Sequence, residues 1–186
     1  MKSVILVHGL WMPGLAMSPM AGRMSRAGYH CHLFDYAGRE RPLAANAERL
    51  AQFARGVGPA HFVGHSLGGL VVFEALNANL PLEVGRVALL GTPARGCLAG
   101  RRLASYGFGR WMLGESEVLW REGRAVRWTR PEPLGIVAGA LPFGLGRTLG
   151  RLPGANDGVV CVDETRIEGA AAFTVLPVRS EEHTSE

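Results

Sequence analysis

The sequence contains almost no lysine, few cysteines and no long apolar segment. Lys2 is the only lysine among 20 Lys and Arg residues, so the net charge of +4 comes from arginine. The three cysteines are odd in number and widely spaced, which argues against a disulfide framework. A reducing compartment is the default for such a chain, and we expect a cytoplasmic protein. No apolar run could span a bilayer, so we expect no integral membrane segment.

Features of nucleic-acid binding and of secretion are also missing. Arginines are grouped at 101–110 and 121–130, but no aromatic stacking module or nucleic-acid reader motif accompanies them. We interpret them as solvated side chains and expect no nucleic-acid partner. The first residues form a short apolar run that leads into His8 without a small-residue cleavage site, unlike a signal peptide.

Short apolar runs alternate with helical patterns along most of the chain. The length of 186 residues and the apolar content of 47% suit one domain with a sizeable core. The predicted strands lie at 3–7, 29–34, 61–63, 87–90, 135–139 and 173–178. The predicted helices between them lie at 16–27, 43–55 and 67–77. This order predicts an α/β fold, with a mostly parallel sheet and flanking helices.

Residues 64–68 read Gly-His-Ser-Leu-Gly and stand between an apolar strand pattern and an apolar helix pattern. In that context the motif is a nucleophile elbow, a tight turn that forces its serine into a strained conformation. Gly64 and Gly68 leave room for the turn because they have no Cβ. We predict Ser66 as a nucleophile at the N-terminus of the following helix; a Gly/Ser turn without chemistry is the alternative.

The end of the first predicted strand offers a second part of the site. Because sites form at the carboxyl ends of parallel strands, the turn at Gly9 can aim the Leu10 backbone N–H at the serine. His8 could act as a general base, but its place before glycine favours a loop-fixing role. His30 and His32 could bind a metal, but no third ligand accompanies them, so we interpret them as structural. We expect no metal or organic cofactor.

A carboxylate follows the fifth predicted strand by one loop. Residues 156–160 read Asn-Asp-Gly-Val-Val, and Asp157 in this loop could reach the serine end of the sheet. Its task would be to orient an imidazole and to stabilise the imidazolium. Asp-Gly is also an ordinary turn signal, and Asp163 is the nearest competitor. The order serine then aspartate is the one this architecture requires, so we favour Asp157.

Residues 95–133 mix Gly, Arg and Trp with short amphipathic pieces, and 101–113 and 116–121 are predicted helices. This insertion could be a lid or small helical cap over the site, or a plain crossover that covers the sheet. The glycine-rich stretch 144–150 lacks the Lys-Ser/Thr that follows a phosphate loop, so we reject that interpretation.

The chain resembles an α/β-hydrolase of the small bacterial esterase/lipase type. Four motifs carry the resemblance in the family's order: 4–10, 64–69, 91–96 and 156–160. The resemblance implies Ser66 as nucleophile, Asp157 as triad acid, and the Leu10 and Leu67 backbone N–H groups as the oxyanion hole. It also implies a lid-like segment after 91–93 and a small-molecule ester or lipid substrate.

The C-terminus departs from the family pattern. The family places its histidine just after the last strand, but Arg179 and Ser180 stand there. Residues 179–186 are polar and match the translation of a common sequencing adapter. We therefore interpret 1–178 as a single α/β-hydrolase domain and 179–186 as non-native. The alternative keeps His183 as the catalytic base.

The resemblance and the motifs predict a carboxylic ester hydrolase that acts through an acyl-enzyme on Ser66. Thioesterases, amidases and acyltransferases that use the same serine are close alternatives. A different class of function is a non-catalytic α/β-hydrolase-like protein that binds small apolar ligands. A form that is inactive because it lacks the native histidine is a third interpretation.

Overall fold

The computed structural model describes residues 2–78, 80, 82–121, 126–142 and 150–179. The described strands are β1 (Ser3–Val7), β2 (His30–Phe34), β3 (Ala60–His65), β4 (Val84–Leu90), β5 (Leu134–Gly139) and β6 (Ala172–Leu176). The described helices are α1 (Ser18–Arg26), α2 (Leu43–Val57), α3 (Leu67–Asn77), α4 (Leu98–Ala104), α5 (Gly107–Leu113) and α6 (Glu117–Arg121).

The six strands form one sheet in the order β2-β1-β3-β4-β5-β6, and every neighbouring pair is parallel. The register pairs Val7 of β1 with Gly64 of β3, and His65 of β3 with Leu90 of β4. The loops that leave the carboxyl ends of these three strands therefore lie side by side. The predicted α/β fold with a parallel sheet and flanking helices is confirmed.

Both faces of the sheet are covered. Successive side chains of a strand point to opposite faces, so each strand contributes residues to both sides. Ile5, Val7 and Phe62 belong to the larger core cluster, which also contains the buried faces of α2 and α3. The intervening residues Val4 and Leu6 belong to a second cluster, together with side chains from α1 and the turn before it. Continuous apolar runs in the sequence reflect this burial on both sides.

The prediction of one helix over 101–113 is wrong, because two short helices, α4 and α5, replace it. The Ser105 hydroxyl donates to the Arg102 carbonyl at 2.6 Å, and Ser105 is the residue that directly follows α4. A Cβ on Gly109 would overlap the Leu103 carbonyl oxygen, so α5 packs directly on the last turn of α4. Helical spacing in the sequence could not reveal this contact between two chain segments.

An ion pair fixes the segment that enters β5. The Arg130 guanidinium donates to both carboxylate oxygens of Glu132, at 2.6 and 2.9 Å, and also to the Leu76 carbonyl of α3 at 2.6 Å. Both side chains of the pair are largely buried. The hydrogen bonds from Arg130 lower the pKa of Glu132. The pair therefore ties the end of α3 to the start of β5 while the carboxylate is ionised.

We expect the variant Glu132→Gln to lose about 2 kcal/mol of unfolding free energy at neutral pH, because a charged hydrogen-bond acceptor is removed. The contribution of Glu132 is complete above about pH 4.3, the ordinary pKa of a glutamate, and is lost as the pH falls through its lower folded pKa. Urea unfolding at pH 7 and pH 3 measures this: the difference between parent and variant should shrink in acid. Glu168→Gln is the control, because Glu168 pairs with Arg127 at an exposed site. A difference that persists at pH 3 would contradict the assignment.

Candidate active site

Ser66 occupies a strained turn between β3 and α3. Its φ of 50° and ψ of −120° lie where L-residues rarely sit, so the backbone stores strain of about 1–3 kcal/mol. The Ser66 N–H donates to the Leu90 carbonyl at 2.8 Å, which ties the turn to the end of β4. The residue is half-buried, whereas its neighbours Leu67 and Gly68 are buried. Ser66 therefore lies at the carboxyl edge of the sheet, directly before the first residue of α3.

Three glycines allow the turn to pack closely on its surroundings. A Cβ on Gly64 would lie 2.5 Å from the Gly69 Cα, inside the turn itself. A Cβ on Gly68 would overlap the His8 carbonyl oxygen, and one on Gly69 would overlap the Thr92 hydroxyl. The elbow is therefore pressed against the loops that follow β1 and β4.

The loop after β1 runs beside Ser66. A Cβ on Gly9 would lie 2.9 Å from the His65 Nδ1 and 3.3 Å from the Ser66 Cβ. Within the described residues, the Leu10 and Leu67 N–H groups donate to no other protein group. Two N–H groups without a protein acceptor, one directly after the serine in sequence and one on the adjacent loop, can serve as the donors of an oxyanion hole.

His8 lies under this loop and contacts it from several sides. Its Nδ1 lies 2.8 Å from the Gly9 carbonyl oxygen, and its Nε2 lies 3.1 Å from the Asp35 carboxylate. The Tyr36 N–H and hydroxyl donate to the His8 ring and carbonyl at 3.3 and 3.0 Å, and the two rings stack. Burial lowers the pKa of His8, and the Gly9 carbonyl and Asp35 carboxylate oppose that effect. The contacts agree with a loop-fixing role.

Three other histidines lie away from the serine. His61 is near the start of β3, where its Nδ1 accepts a hydrogen bond from the Arg86 N–H at 2.8 Å. His30 and His32 stand on β2, the edge strand of the sheet. His183 lies outside the described residues, as does most of the glycine-rich stretch 144–150.

Asp157 is buried, with 1% of its surface exposed. Its Oδ1 accepts hydrogen bonds from the Val159 N–H at 2.9 Å and the Val160 N–H at 2.7 Å, which fix the carboxylate within its own loop. Its competitor Asp163 has 89% of its side chain exposed and pairs with Arg166 at 3.2 Å. Burial and backbone donors distinguish Asp157 as a preorganised carboxylate, and Asp163 faces solvent instead.

The loop that carries Asp157 is attached to the segment after β4. Glu164 accepts hydrogen bonds from the Leu98 N–H at 2.6 Å and from the Cys161 N–H at 2.8 Å, and its carbonyl accepts from the Arg95 N–H at 2.9 Å. Burial raises the pKa of the Glu164 carboxyl. Because the end of β4 adjoins the elbow, these bonds hold the Asp157 loop at the serine end of the sheet.

Two cysteines are buried beside this loop. The Cys97 Sγ lies 3.6 Å from the Val159 carbonyl oxygen and accepts from the Gly100 N–H at 3.4 Å. Burial, reinforced by nearby carboxylates, raises the pKa of both Cys97 and Cys161 to about 12. Both thiols therefore stay protonated at neutral pH and act as small packing groups.

The insertion between β4 and β5 contacts the loops around the serine. The Trp11 indole N–H donates to the Met112 carbonyl of α5 at 2.9 Å, and the Glu115 N–H donates to the Arg39 carbonyl at 2.9 Å. Phe108 and Trp111 of α5 stack on one another and are 69% and 61% exposed. The prediction of a cap stays a prediction. None of the described helices combines the length and apolar character needed to cross a membrane.

The sequence motifs identified Ser66, Leu10, Leu67 and Asp157 as candidates, and the structure places their loops at one edge of the sheet. Sequence analysis did not identify Trp11, Tyr36 or Asp35 as neighbours of the site. A tryptophan directly after His-Gly-Leu was the one available signal, since a large aromatic residue in a short loop is unusual. The partners of His8 depend on a loop 27 residues away and left no local pattern.

Solved structures with the same fold include lipases and esterases. The Bacillus licheniformis lipase BlEst2 in its mature form matches with a TM-score of 0.76 and 20% identity, over 99% of this chain and 86% of that one. Its propeptide form has a TM-score of 0.79 and 20% identity over 98% of this chain, which spans only 47% of that longer chain. An esterase from Thermogutta terrifontis with malate bound has a TM-score of 0.71 and 15% identity, over 100% of this chain and 85% of that one. At these identities the likeness is one of fold.

A search of curated proteins returned no match. The model of the alpha/beta hydrolase family matches residues 4–177, which is nearly the whole sequence. The parallel sheet, the elbow between β3 and α3 and the order of the motifs agree with this match. The chain belongs to the alpha/beta hydrolase family.

Proposed function

We propose that this protein is a serine hydrolase that cleaves carboxylic esters through an acyl-enzyme on Ser66. The observation that carries the proposal is the strained backbone of Ser66, with φ at 50° between a strand and a helix. Backbone strain of this kind persists where the surrounding structure demands it, and here the packed glycines of the elbow do so. A plain turn would relax to an unstrained conformation.

The reaction that fits this geometry is acyl transfer in two steps. The Ser66 Oγ attacks the ester carbonyl carbon and gives up its proton to a general base, and the carbonyl oxygen becomes an oxyanion held by the Leu10 and Leu67 N–H groups. The tetrahedral intermediate collapses, the C–O bond to the alcohol breaks, and the base returns the proton to the leaving alkoxide. Water then attacks the acyl-enzyme by the same route and releases the acid and free Ser66.

Asp157 is the proposed partner of the base, where it would orient an imidazole and stabilise its charged form. Its burial and its two backbone donors support this role, because they hold the carboxylate in one orientation. The family order of serine, aspartate and histidine leaves His183 as the only histidine of the sequence after Asp157.

The proposal is tested by a fluorophosphonate probe, which forms a stable adduct on an activated serine. We expect one adduct on the full chain, located on Ser66 by peptide mass spectrometry. Ser25→Ala is the matched control, because Ser25 is an exposed serine on α1, and this variant should label like the parent. A chain that gives no adduct on Ser66 at any reagent concentration would refute the proposal.

The same assay examines His183. Because we interpret residues 179–186 as foreign to the fold, we expect His183 not to act as the base. The parent and His183→Ala should then label at the same slow rate, which the oxyanion hole and binding alone support. A general base contributes about 100-fold or more to such a reaction. A loss of that size in this variant, with unchanged thermal unfolding, would assign the base to His183 and overturn our interpretation of the tail.

A further inference from the structure

Trp11 shares an unusual property with Ser66. In the described part of the chain, these are the two residues other than glycine that have a positive φ, at 60° and 50°. A left-handed conformation costs an ordinary L-residue about 1–2 kcal/mol, so something must hold Trp11 there. It directly follows Leu10, whose N–H is the proposed oxyanion donor. Each of the two proposed oxyanion donors, Leu10 and Leu67, is therefore next in sequence to a residue with a strained backbone.

The contact that holds Trp11 crosses to the insertion. Its indole Nε1–H donates to the Met112 carbonyl at 2.9 Å, between residues 101 positions apart in sequence. Met112 lies in the last turn of α5, where carbonyl groups have no partner within the helix. The indole satisfies one of these carbonyls and ties the Leu10 loop to α5.

α5 is itself fixed just beyond its C-terminal end. The Glu115 N–H, just beyond the helix, donates to the Arg39 carbonyl at 2.9 Å. Gly114 has a φ of 55°, and a Cβ there would overlap the same carbonyl, so the chain passes directly against the loop after β2. The Arg39 guanidinium also lies 4.6 Å from the centre of the Trp111 ring. The Met112 carbonyl is therefore a fixed point against which Trp11 can hold its own loop.

We propose that Trp11 is a positioning residue, which holds the Leu10 N–H in the direction of the oxyanion through its hydrogen bond to the Met112 carbonyl. The inference rests on the proposed function, because it concerns the oxyanion of that reaction. Without the indole bond, the Trp11 backbone relaxes out of the left-handed region, and Leu10, the residue directly before it, changes its orientation with it. The donor then turns away from the oxyanion. Binding of the uncharged substrate does not use this donor, so the loss falls on kcat.

The test compares Trp11→Phe with Trp128→Phe. Phenylalanine keeps the aromatic ring and removes the indole N–H. Trp128 is the matched control because its indole also donates to a backbone carbonyl, that of Glu132 at 2.7 Å, just before β5. Each variant is assayed with a short aryl ester and with the thionoester of the same acid, whose sulfur accepts hydrogen bonds weakly.

We expect Trp11→Phe to lower kcat on the aryl ester about 10-fold with KM unchanged, since complete loss of one oxyanion donor costs about 100- to 1000-fold. The ester-to-thionoester rate ratio should fall by a similar factor, and Trp128→Phe should leave both quantities at the parent values. If Trp11→Phe lowers the rates on the ester and the thionoester by the same factor, or changes only thermal unfolding, the inference is wrong and Trp11 has only a structural role. Failure of the fluorophosphonate to form an adduct on Ser66 of the parent would refute the proposed function itself. If the parent does form this adduct but Trp11→Phe hydrolyses the ester as fast as the parent, only this inference is refuted.

Discussion

Replacing Ser66 by glycine is expected to abolish ester hydrolysis and at the same time to stabilise the fold. The hydroxyl is the proposed nucleophile, and its loss should lower the hydrolysis rate by about 1000-fold or more. Glycine adopts a φ of 50° without steric cost, so the strain at this position is released. The larger entropy of glycine in the unfolded chain offsets part of the gain, which leaves about 1 kcal/mol of added stability.

The comparison that isolates these two effects is with Ser66→Ala. Alanine removes the hydroxyl and keeps the Cβ, so this variant should be as inactive as Ser66→Gly but without the gain in stability. Urea unfolding gives the free energies, and a short aryl ester gives the rates. Equal stability of the two variants would mean that the turn is unstrained, and appreciable hydrolysis by either would remove Ser66 from the reaction.

Replacing Gly68 by alanine is expected to lower the unfolding free energy by at least about 3 kcal/mol, which is at the upper end for single substitutions. The added methyl group would overlap the His8 carbonyl oxygen and would lie 2.5 Å from the Val7 carbonyl oxygen. Both atoms belong to the backbone around the end of β1, which is buried between β2 and β3 and cannot move easily. To accommodate the methyl group, the start of α3 must move away from β1.

Gly56 provides the control for this substitution. It lies inside α2, where a Cβ would meet no atom within 4 Å. Gly56→Ala should therefore stabilise the protein by about 0.5–1 kcal/mol through helix propensity. The fluorophosphonate reaction of folded Gly68→Ala should also be slower, because the loop that carries Leu10 is displaced with β1. A Gly68→Ala variant as stable as the parent would contradict the close packing described here.

The sequence was most informative where one short segment determines its own structure. The apolar runs predicted β1 and the buried strands after it, and the elbow motif with its flanking runs placed α3 at residues 67–77, where it is observed. The glycines within the elbow predicted the tight turn, because only residues without a Cβ permit its close contacts. These features depend on neighbours within a few positions.

Features that depend on distant segments were not predictable. The break between α4 and α5 follows from the contact of Gly109 with Leu103 and from the Ser105 side chain, which periodicity does not report. The stacking of His8 on Tyr36 and the bond from Trp11 to Met112 join loops that only the folded sheet brings together. The geometry of Asp157 likewise depends on Glu164 and the segment after β4.

The reactivity of the two buried thiols depends on whether the protein is folded. Cys97 and Cys161 have negligible thiolate at neutral pH while the chain is folded, whereas Cys31 is partly accessible on β2. A thiol reagent should therefore modify one cysteine promptly and the other two only in molecules that open. The rate of the slow phase would measure how often the structure around Asp157 opens, without any engineered residue.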